Sequence, residues 1–343
     1  MPPDRLNRPF TEIPEMTGHA TGTAAHPPIQ QTEGAVLHVL AGTPLGHVAG
    51  CFQLQPALLA TAVEAYRRAG REALHQQQRG SDWCQFLIEF SDWSSAEETA
   101  IEHLVPLLHP IEANASITEW WFIRKHPCWR LRLRKGTSHQ PPDLIKALNE
   151  LAAAGHIRRW CEGVYEPETA AFGGPDGMTT AHELFSADSH AILATLPTNR
   201  ERLGRREVSI LLCSVLFQAA GLEWYEQGDA WHRVAQGRPA LTDVSPERLR
   251  PMAESFRQLM SADIHPDGSL LGGAGSLAFA AEWAAAFHRA GAALGASARV
   301  GALQRGLRQV LAHHVIFHWN RLGLPLRAQS ILAAAAQTAI LAP

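Results

Sequence analysis

The order of hydrophobic periodicities between residues 83 and 165 constrains the fold of this chain more than any other feature of its sequence. Four segments have the apolar or alternating pattern of β-strands: Trp83–Phe90, Ile117–Lys125, Cys128–Arg134 and His156–Tyr165. Two segments with helical spacing stand between them: Ser94–Leu108, which opens with the spacing of a capping box, and Asp143–Ala154. This order, strand–helix–strand–strand–helix–strand, predicts a ferredoxin-like unit.

Beyond Pro175 the apolar residues mainly follow the helical period. We predict helices over Met178–Leu196, Arg205–Gly221, Pro246–Met260, Ser276–Leu294, Arg299–Gly323 and Ala328–Leu341. The predicted fold class is therefore α+β, with a small N-terminal helical arm ahead of the ferredoxin-like unit. The predicted divisions are a disordered tail over residues 1–33, a small helical module over 34–79, the ferredoxin-like unit over 80–175 and a helical unit over 176–343.

The N-terminal part of the chain changes character near residue 34. Residues 1–33 are rich in proline, threonine, glycine and histidine and show no hydrophobic period, which is typical of disorder. A helical pattern follows from Ala35 to Gln78, interrupted at Gly42–Pro44. Two interpretations of this module stay open, a helix-turn-helix-like domain and a packing arm. The module lacks a stripe of basic residues, which argues against DNA binding.

Bulk composition argues against several classes of protein. The formal net charge of −3 gives no reason to expect nucleic acid or an anionic membrane as a partner. No apolar run approaches the roughly 20 residues that cross a bilayer, and the N-terminus lacks the apolar core of a secretory signal. The five cysteines are scattered without CxxC spacing, which argues against a disulfide framework and favours a reducing cytoplasm.

Strict alternation over Trp129–Arg134 places three arginines on one face of the predicted third strand. They are Arg130, Arg132 and Arg134. The third strand is central in a ferredoxin-like sheet and two helices cover one face, so the arginines should project from the opposite face. Gln85 and Glu89 of the first strand are expected on that side too. Both a solvated face with surface ion pairs and a site for carboxylate or phosphate would explain the pattern.

Two histidines fall on the apolar stripe of the predicted helix Arg299–Gly323, one turn apart. For His314 and His318 three interpretations stay open: zinc ligands, hydrogen-bonded core residues and acid–base catalysts. The glutamate of an HExxH motif and a third ligand are missing, and the chain carries no glycine-rich phosphate loop or dinucleotide fingerprint. We therefore expect neither a metal nor a cofactor.

Six segments, in their order and approximate spacing, resemble one protein family. They are Trp120–Lys125, Arg130–Arg134, Tyr165–Glu168, Phe172–Gly174, Leu184–Ser189 and His318–Leu322. From about Trp83 to Leu341 the chain is similar to the thiopeptide-type bacteriocin biosynthesis domain, which is also found at the end of lantibiotic dehydratases. The resemblance implies an enzyme that modifies a ribosomally made precursor peptide.

The resemblance implies two alternative reactions. In the dehydratases this domain eliminates glutamate from glutamylated serine or threonine and leaves dehydroamino acids. In thiopeptide pathways a diverged relative joins two dehydroalanines by a formal 4+2 cycloaddition and expels the leader peptide, giving a pyridine. Elimination needs a base for the Cα proton and cationic groups for the developing enolate and the departing carboxylate. A third alternative is a non-catalytic subunit that docks the precursor peptide.

Four residues match the positions that the resemblance implies are catalytic: Arg132, Arg134, Glu168 and His318. At three positions the chain departs from the family's pattern. Arg130 replaces a histidine, Ala171 an arginine and Ile316 a histidine. The loss of an arginine at 171 and a histidine at 316 favours cycloaddition. The retained arginine pair favours elimination, which is the reaction we expect.

Further residues on the arginine strand's side and in the matching segments are candidates for substrate binding. They are Gln85, Glu89, Trp121, Arg130, Asn320 and Arg321. The expected partners are the precursor peptide, with its leader and core, and a separate glutamylating dehydratase. A homodimer stays open, and neither nucleic acid nor a membrane is expected.

Overall fold

The computed structural model describes residues 28–136, 142–195, 204–241, 244–265, 268–272 and 275–341. The contacts divide the chain into two compact units, one up to Ala73 and one from Leu74 onward. The ferredoxin-like part predicted over 80–175 and the helical part predicted over 176–343 therefore fall within the same unit. Of the predicted disordered tail, residues 1–27 lie outside the described residues, whereas residues 29–33 are helical.

The first unit is helical in its described part. Its helices are α1 (Ile29–Leu40), α2 (Leu45–Cys51) and α3 (Pro56–Asp82), the last of which continues past the boundary between the units. Helix α1 starts earlier than the predicted tail allows, because Pro28 fixes the entry to the first turn and the glutamines after it favour a helix. The predicted interruption is confirmed between α1 and α2, where Gly42 has a φ of 101°. Six residues form a core of their own: Ala35, Val36, Val48, Ala49, Leu59 and Val63.

Four strands of the second unit form one antiparallel sheet in the order β2-β3-β1-β4. They are β1 (Trp83–Phe90), β2 (Ile117–Lys125), β3 (Cys128–Lys135) and β4 (Ile157–Gly163). From β1 to β2 the chain passes through α4 (Ala96–Thr99), a π-helical segment (Ala100–Leu104) and α5 (Val105–Ala113), and from β3 to β4 through α6 (Pro142–Ala153). The predicted ferredoxin-like order is confirmed.

The alternation along β3 separates core residues from arginines, as predicted. Trp129, Leu131 and Leu133 are buried in the main core together with leucines of α5 and α6. Burying each such apolar side chain stabilises the fold by roughly 1.5–3 kcal/mol. The arginines between them project from the other face of the sheet, and Gln85 lies opposite Arg132 in the strand register.

Helices complete the second unit. They are α7 (Pro175–Thr195), α8 (Arg205–Ala219), α9 (Trp224–Gln236), α10 (Pro246–Met260), a 3-10 turn (Ala278–Ala280), α11 (Ala281–Arg299), α12 (Leu307–Leu322) and α13 (Leu326–Leu341). Helices α7 and α12 contact strand β2, and the main core runs from the sheet to α13. In the described part of the chain, no helix has both the length and the apolar character needed to cross a membrane.

Three helical predictions differ from the structure. The helix predicted over Ser276–Leu294 lies at Ala281–Arg299, after a 3-10 turn over Ala278–Ala280. The helix predicted over Arg299–Gly323 begins only at Leu307, because Gly301 adopts a φ of 70° after α11 ends. Helix α9 has no predicted counterpart, since charged residues and Gly228 obscure its helical period. A Cβ at Gly228 would come within 2.5 Å of Leu341, so the glycine permits the close approach of α9 to α13.

An ion cluster ties the sheet to the helices. Glu97 of α4 accepts hydrogen bonds from Arg124 of β2 and from Arg205 at the start of α8. Arg124 also donates to the carbonyl of Arg321, and Arg205 donates to that of Leu322, so both satisfy the C-terminal end of α12. Burial by itself raises the pKa of Glu97, but the two arginines hold that pKa below its ordinary value.

Candidate active site

Three cross-strand rows define the face of the sheet that carries the arginines, which we call the arginine face. The rows are Trp121 with Arg132 and Gln85; Glu119 with Arg134 and Trp83; and Ile123 with Arg130 and Leu87. Residues opposite one another in antiparallel strands project to the same side and contact each other. The fold therefore brings together several of the sequence-predicted site residues on one surface.

The guanidinium of Arg132 is buried between two aromatic rings. Only 8% of the residue is exposed. Its Nε donates a hydrogen bond to Gln85 Oε1 at 2.8 Å. Its Cζ lies 4.3 Å from the ring centre of Trp121 and 4.5 Å from that of Tyr165. The two rings and the glutamine thus fix both the position and the plane of the guanidinium.

Arg132 has no counter-ion within the described part of the chain, where Glu119 and Glu168 form their ion pairs with Arg134 and His313. Burial lowers the pKa of Arg132 to about 10, which reflects the cost of holding a charge out of water. Contacts with the aromatic faces offset part of this cost. An anionic group of a bound ligand would offset more of this cost, because a charge-assisted hydrogen bond is strong where water is excluded.

Arg134 occupies a more open position, at one wall of a cavity of about 100 Å³. Its Nη1 lies 3.5 Å from Glu119 Oε2. Burial, reinforced by the charge of Glu183, raises the pKa of Glu119. Trp83 and Met178 supply apolar wall, and both glutamates line the cavity. The charge of Arg134 is therefore balanced inside the cavity, unlike that of Arg132.

A tyrosine–histidine pair forms another wall of this cavity. Tyr165 Oη lies 2.6 Å from His182 Nε2, and the His182 ring centre lies 4.5 Å from that of Trp83. Burial raises the pKa of Tyr165, so its phenol remains protonated in this hydrogen bond. Because Tyr165 also covers Arg132, this side chain separates the cavity from the buried guanidinium.

The segment after Tyr165 turns sharply and sets Glu168 against α12. Gly173 and Gly174 have φ values of 87° and 102°, which favour glycine. The turn places Glu168 Oε2 at 2.9 Å from His313 Nε2. This hydrogen bond is the main reason why the pKa of Glu168 is lowered, and the charge of Arg132 lowers it further. His313 and Arg132 therefore both stabilise the ionised form of Glu168.

Basic side chains lie beside two positions where the chain departs from the family's pattern. Arg305 Nη1 donates to the carbonyl oxygen of Ala171 at 3.1 Å. His313 precedes Ile316 by about one turn on α12, and residues at that spacing are neighbours on a helix surface. A guanidinium and an imidazole are therefore close to the places that Ala171 and Ile316 occupy.

His318 lies in a separate buried network centred on Asp188 of α7. Its Nδ1 lies 2.9 Å from Asp188 Oδ1. Arg321 Nε donates to Oδ2 at 2.6 Å, and Trp283 Nε1 donates to Oδ1 at 2.8 Å. Burial opposes ionisation of Asp188, but His318 and Arg321 hold its pKa below the ordinary value. Across the described residues, no hydrogen bond or ion pair joins His318 to an arginine of the arginine face.

His314 is also buried, at 1% exposure, and its ring centre lies 4.9 Å from that of Phe172. Burial, followed by the charge of Arg321, lowers the pKa of His314 to about 3, so the imidazole is neutral. Of the three interpretations of this histidine pair, that of a hydrogen-bonded core residue fits His318. Among the described residues, no group of three or more potential metal ligands is found.

The side chains of the remaining candidates form ion pairs and hydrogen bonds with other residues of the chain. Glu89 pairs with Arg159 at 2.7 Å and with Arg158 at 3.5 Å, both on β4. Asn320 Oδ1 accepts a hydrogen bond from Gln329 of α13 at 3.1 Å. The sequence-predicted residues that share the arginine face are Gln85, Glu89, Trp121, Arg130, Arg132 and Arg134, and the charge of Glu168 acts on Arg132. Three other candidates form hydrogen bonds between α12 and its neighbouring helices instead: Asn320, Arg321 and His318.

Four residues of this region are absent from the sequence-based candidates: Tyr165, His182, Asp188 and His313. Tyr165 and Asp188 lie inside segments that carry the family resemblance, and this position could have marked them as candidates. His182 and His313 carry no local signal. Their partners lie 17 and 145 residues away in the chain, and only the folded structure brings these pairs together.

A comparison with known families assigns the chain. Residues 83–340 match the family described as "Lantibiotic biosynthesis dehydratase C-term". The chain belongs to this family, and the resemblance found in its sequence is confirmed. No curated protein matches the chain at a significant level.

Solved structures share the fold at low sequence identity. The tRNA-dependent lantibiotic dehydratase MibB from Microbispora sp. 107891 matches with a TM-score of 0.55 and 17% identity, over 76% of this chain and 28% of that one. TsrL matches with a TM-score of 0.55 and 16% identity, over 75% of this chain and 94% of that one. The pyridine synthase TbtD from thiomuracin biosynthesis gives 0.48 and 13%, over 76% and 97%. This chain thus spans just over a quarter of MibB and nearly all of TsrL.

Proposed function

We propose that this chain matures a ribosomally made antibiotic peptide by eliminating glutamate from glutamylated serine or threonine. Its family, and the fold that it shares with the dehydratase MibB, support a role in peptide modification. The substrate is a precursor peptide that a glutamylating dehydratase has already esterified. The products are a dehydroamino acid and free glutamate.

The observation that carries this proposal is the buried guanidinium of Arg132, which has no counter-ion among the described residues. Elimination removes the Cα proton, moves its electron pair into a Cα–Cβ double bond and breaks the Cβ–O bond. Glutamate departs with the bonding electrons as a carboxylate. A cation already fixed by Gln85, Trp121 and Tyr165 stabilises negative charge as it develops, without reorganising.

The other family-matched residues receive supporting roles in this proposal. Arg134 lies at the cavity, and Glu168 is bound to His313 of α12. In this proposal both contact the peptide around the reacting residue. His318 is a positioning residue, because its hydrogen bond to Asp188 joins α12 to α7 and thereby holds the elements that line the site.

A specific observation favours cycloaddition of two dehydroalanines as the second candidate. The cavity beside Arg134 contains two carboxylates, Glu119 and Glu183, with apolar wall from Trp83 and Met178. Such a lining suits neutral dehydrated side chains better than an additional glutamate. Holding two such groups in contact supplies most of the acceleration that a cycloaddition needs.

Product analysis on two peptides tests the proposal. The purified chain is incubated with a glutamylated precursor peptide and, separately, with a peptide that bears two dehydroalanines and its leader. Loss of glutamic acid from the first peptide, seen by mass spectrometry, supports elimination. An intact first peptide, together with a macrocycle and released leader from the second, favours cycloaddition. Binding of both peptides without conversion favours the docking subunit.

A further inference from the structure

We propose that His313, held by Glu168, is the base that takes the Cα proton of the substrate; this proposal rests on the proposed function. The pair is a carboxylate–imidazole dyad that joins the segment after β4 to helix α12. His313 Nε2 lies 2.9 Å from Glu168 Oε2. In such a dyad the carboxylate orients the ring and stabilises the imidazolium that forms when the ring accepts a proton.

The hydrogen bond fixes which ring nitrogen acts. Glu168 remains ionised, because the hydrogen bond from His313 lowers the pKa of its carboxyl group. The carboxylate accepts a hydrogen bond from Nε2–H, so in the neutral ring Nδ1 is the nitrogen whose lone pair can accept a proton. In the described part of the chain, no hydrogen bond occupies Nδ1 of His313. The nitrogen that a base requires is therefore available to a ligand.

Packing holds the ring in place but leaves it accessible. The ring centre of His313 lies 4.8 Å from that of Phe172 and 5.0 Å from that of Phe317. Its side chain is 24% exposed and that of Glu168 is 54% exposed. His318, by contrast, is 1% exposed and binds Asp188. Of these two histidines on α12, His313 is the one that a bound peptide can reach.

The dyad is linked to the cation that the proposed function uses through Tyr165, which covers Arg132 and precedes Glu168 by three residues. The charge of Arg132 acts on Glu168, and the charge of Glu168 acts in turn on Arg132. His313 Nδ1 accepts the proton from Cα while the Cβ–O bond breaks, and the departing carboxylate moves to Arg132. The imidazolium then returns its proton to solvent. The base and the anion site thus serve opposite ends of one elimination.

The test measures single-turnover rates of His313→Ala and Glu168→Gln. Loss of a general base slows a reaction by about 100- to 10,000-fold, so His313→Ala should lose at least about 100-fold. Added imidazole should restore part of that rate with a saturable dependence on its concentration, because a small base can occupy the vacated space. Glu168→Gln should lose less, since the imidazole remains. Melting temperatures of both variants verify folding.

The matched control is His190→Ala. His190 also pairs with a glutamate, Glu112, at 3.4 Å, and both side chains are 34% exposed. This variant should react at the wild-type rate. His182→Ala tests the competing assignment of His182 as the base, because His182 lines the cavity and imidazole could occupy the space that its ring vacates.

Three outcomes would overturn the proposal: an unimpaired His313→Ala, a loss that imidazole does not restore, or imidazole rescue of a His182 variant instead. If the wild type converts only the peptide with two dehydroalanines, the proposed elimination is wrong. The rates of His313→Ala and Glu168→Gln in that reaction then test the dyad, because the reaction also moves a proton next to a carbonyl. If the wild type converts neither peptide, the elimination and the dyad both fall.

Discussion

The imidazole of His318 and the carboxylate of Asp188 form a hydrogen-bonded pair at 2.9 Å inside the core, where neither residue exposes more than 1% of its surface. Arg321 and Trp283 donate to the same carboxylate. One buried anion therefore joins α7 to α11 and α12. The hydrogen bonds of His318 and Arg321 therefore position helices, and they have a direct consequence for stability.

Replacing Asp188 with asparagine should strongly destabilise the protein. The change leaves Arg321 buried without its counter-ion, and breaking a buried ion pair in this way costs about 3–5 kcal/mol. Urea denaturation measures the loss in free energy of unfolding. Asp229→Asn is the control, because Asp229 pairs with Arg233 at 32% exposure and should lose less than about 1 kcal/mol. Equal, small losses in the two variants would contradict the account.

The stability of the protein should fall as the pH drops below the ordinary pKa of histidine. Burial holds the pKa of folded His314 at about 3, compared with 6.5 for an unperturbed group. The unfolded chain therefore binds a proton between these values and the folded chain does not. The stabilising contribution is complete above pH 6.5 and is lost as the pH falls towards 3.

Within that window His314 should contribute a slope of about 1.4 kcal/mol per pH unit. Free energies of unfolding of the wild type and His314→Leu, measured from pH 7 to pH 4, isolate this contribution. The variant should show the shallower dependence on pH. Identical slopes for wild type and His314→Leu would show that His314 is not the group responsible.

Gly291 should not tolerate alanine, because α11 approaches the backbone of α8 there. A Cβ at Gly291 would lie 2.3 Å from the carbonyl oxygen of Leu216, which cannot rotate away. Separating the two helices should lower the free energy of unfolding by about 1–3 kcal/mol. Ala292→Ser, on the exposed side of the same helix, should change it by less than about 0.5 kcal/mol. A wild-type melting temperature for Gly291→Ala would refute the close contact.

The sheet could be predicted from the sequence almost residue by residue. Strands β1 and β2 have the predicted bounds, and β3 ends one residue later than predicted, at Lys135. Strand β4, predicted over His156–Tyr165, is shorter at both ends and covers Ile157–Gly163. This accuracy follows from local information, because a period of two residues marks both the strand and its buried face. The same alternation sufficed to place Arg132 and Gln85 on one side of the sheet.

Features that depend on distant contacts could not be predicted. The burial of His318 follows from its helical stripe, but its partner Asp188 lies 130 residues away in the chain. Whether Arg132 is paired or isolated depends on where Glu119 and Glu168 find their own partners. Helix α9 escaped prediction because its Gly228 is explained only by the neighbouring α13. Tertiary packing decides each of these points.

The two arginines that match the family should differ in importance. Arg132 is buried and has no counter-ion among the described residues, whereas Arg134 pairs with Glu119 and is 38% exposed. Arg132→Met should lose about 2–4 kcal/mol of transition-state stabilisation, a factor of roughly 30 to 1,000 in rate. Arg134→Met should lose less. Arg132→Lys should fall between wild type and Arg132→Met, because lysine keeps the charge but not the planar fork.

One measurement tests whether Arg132 stabilises the transition state of glutamate elimination. It is the single-turnover rate of glutamate release from a glutamylated precursor peptide, compared between wild type and Arg132→Met. Thermal unfolding of both proteins shows that they are folded, and Arg134→Met is the matched control. The account predicts release by the wild type, with a much slower rate for Arg132→Met than for Arg134→Met. Release at the wild-type rate by folded Arg132→Met would contradict it.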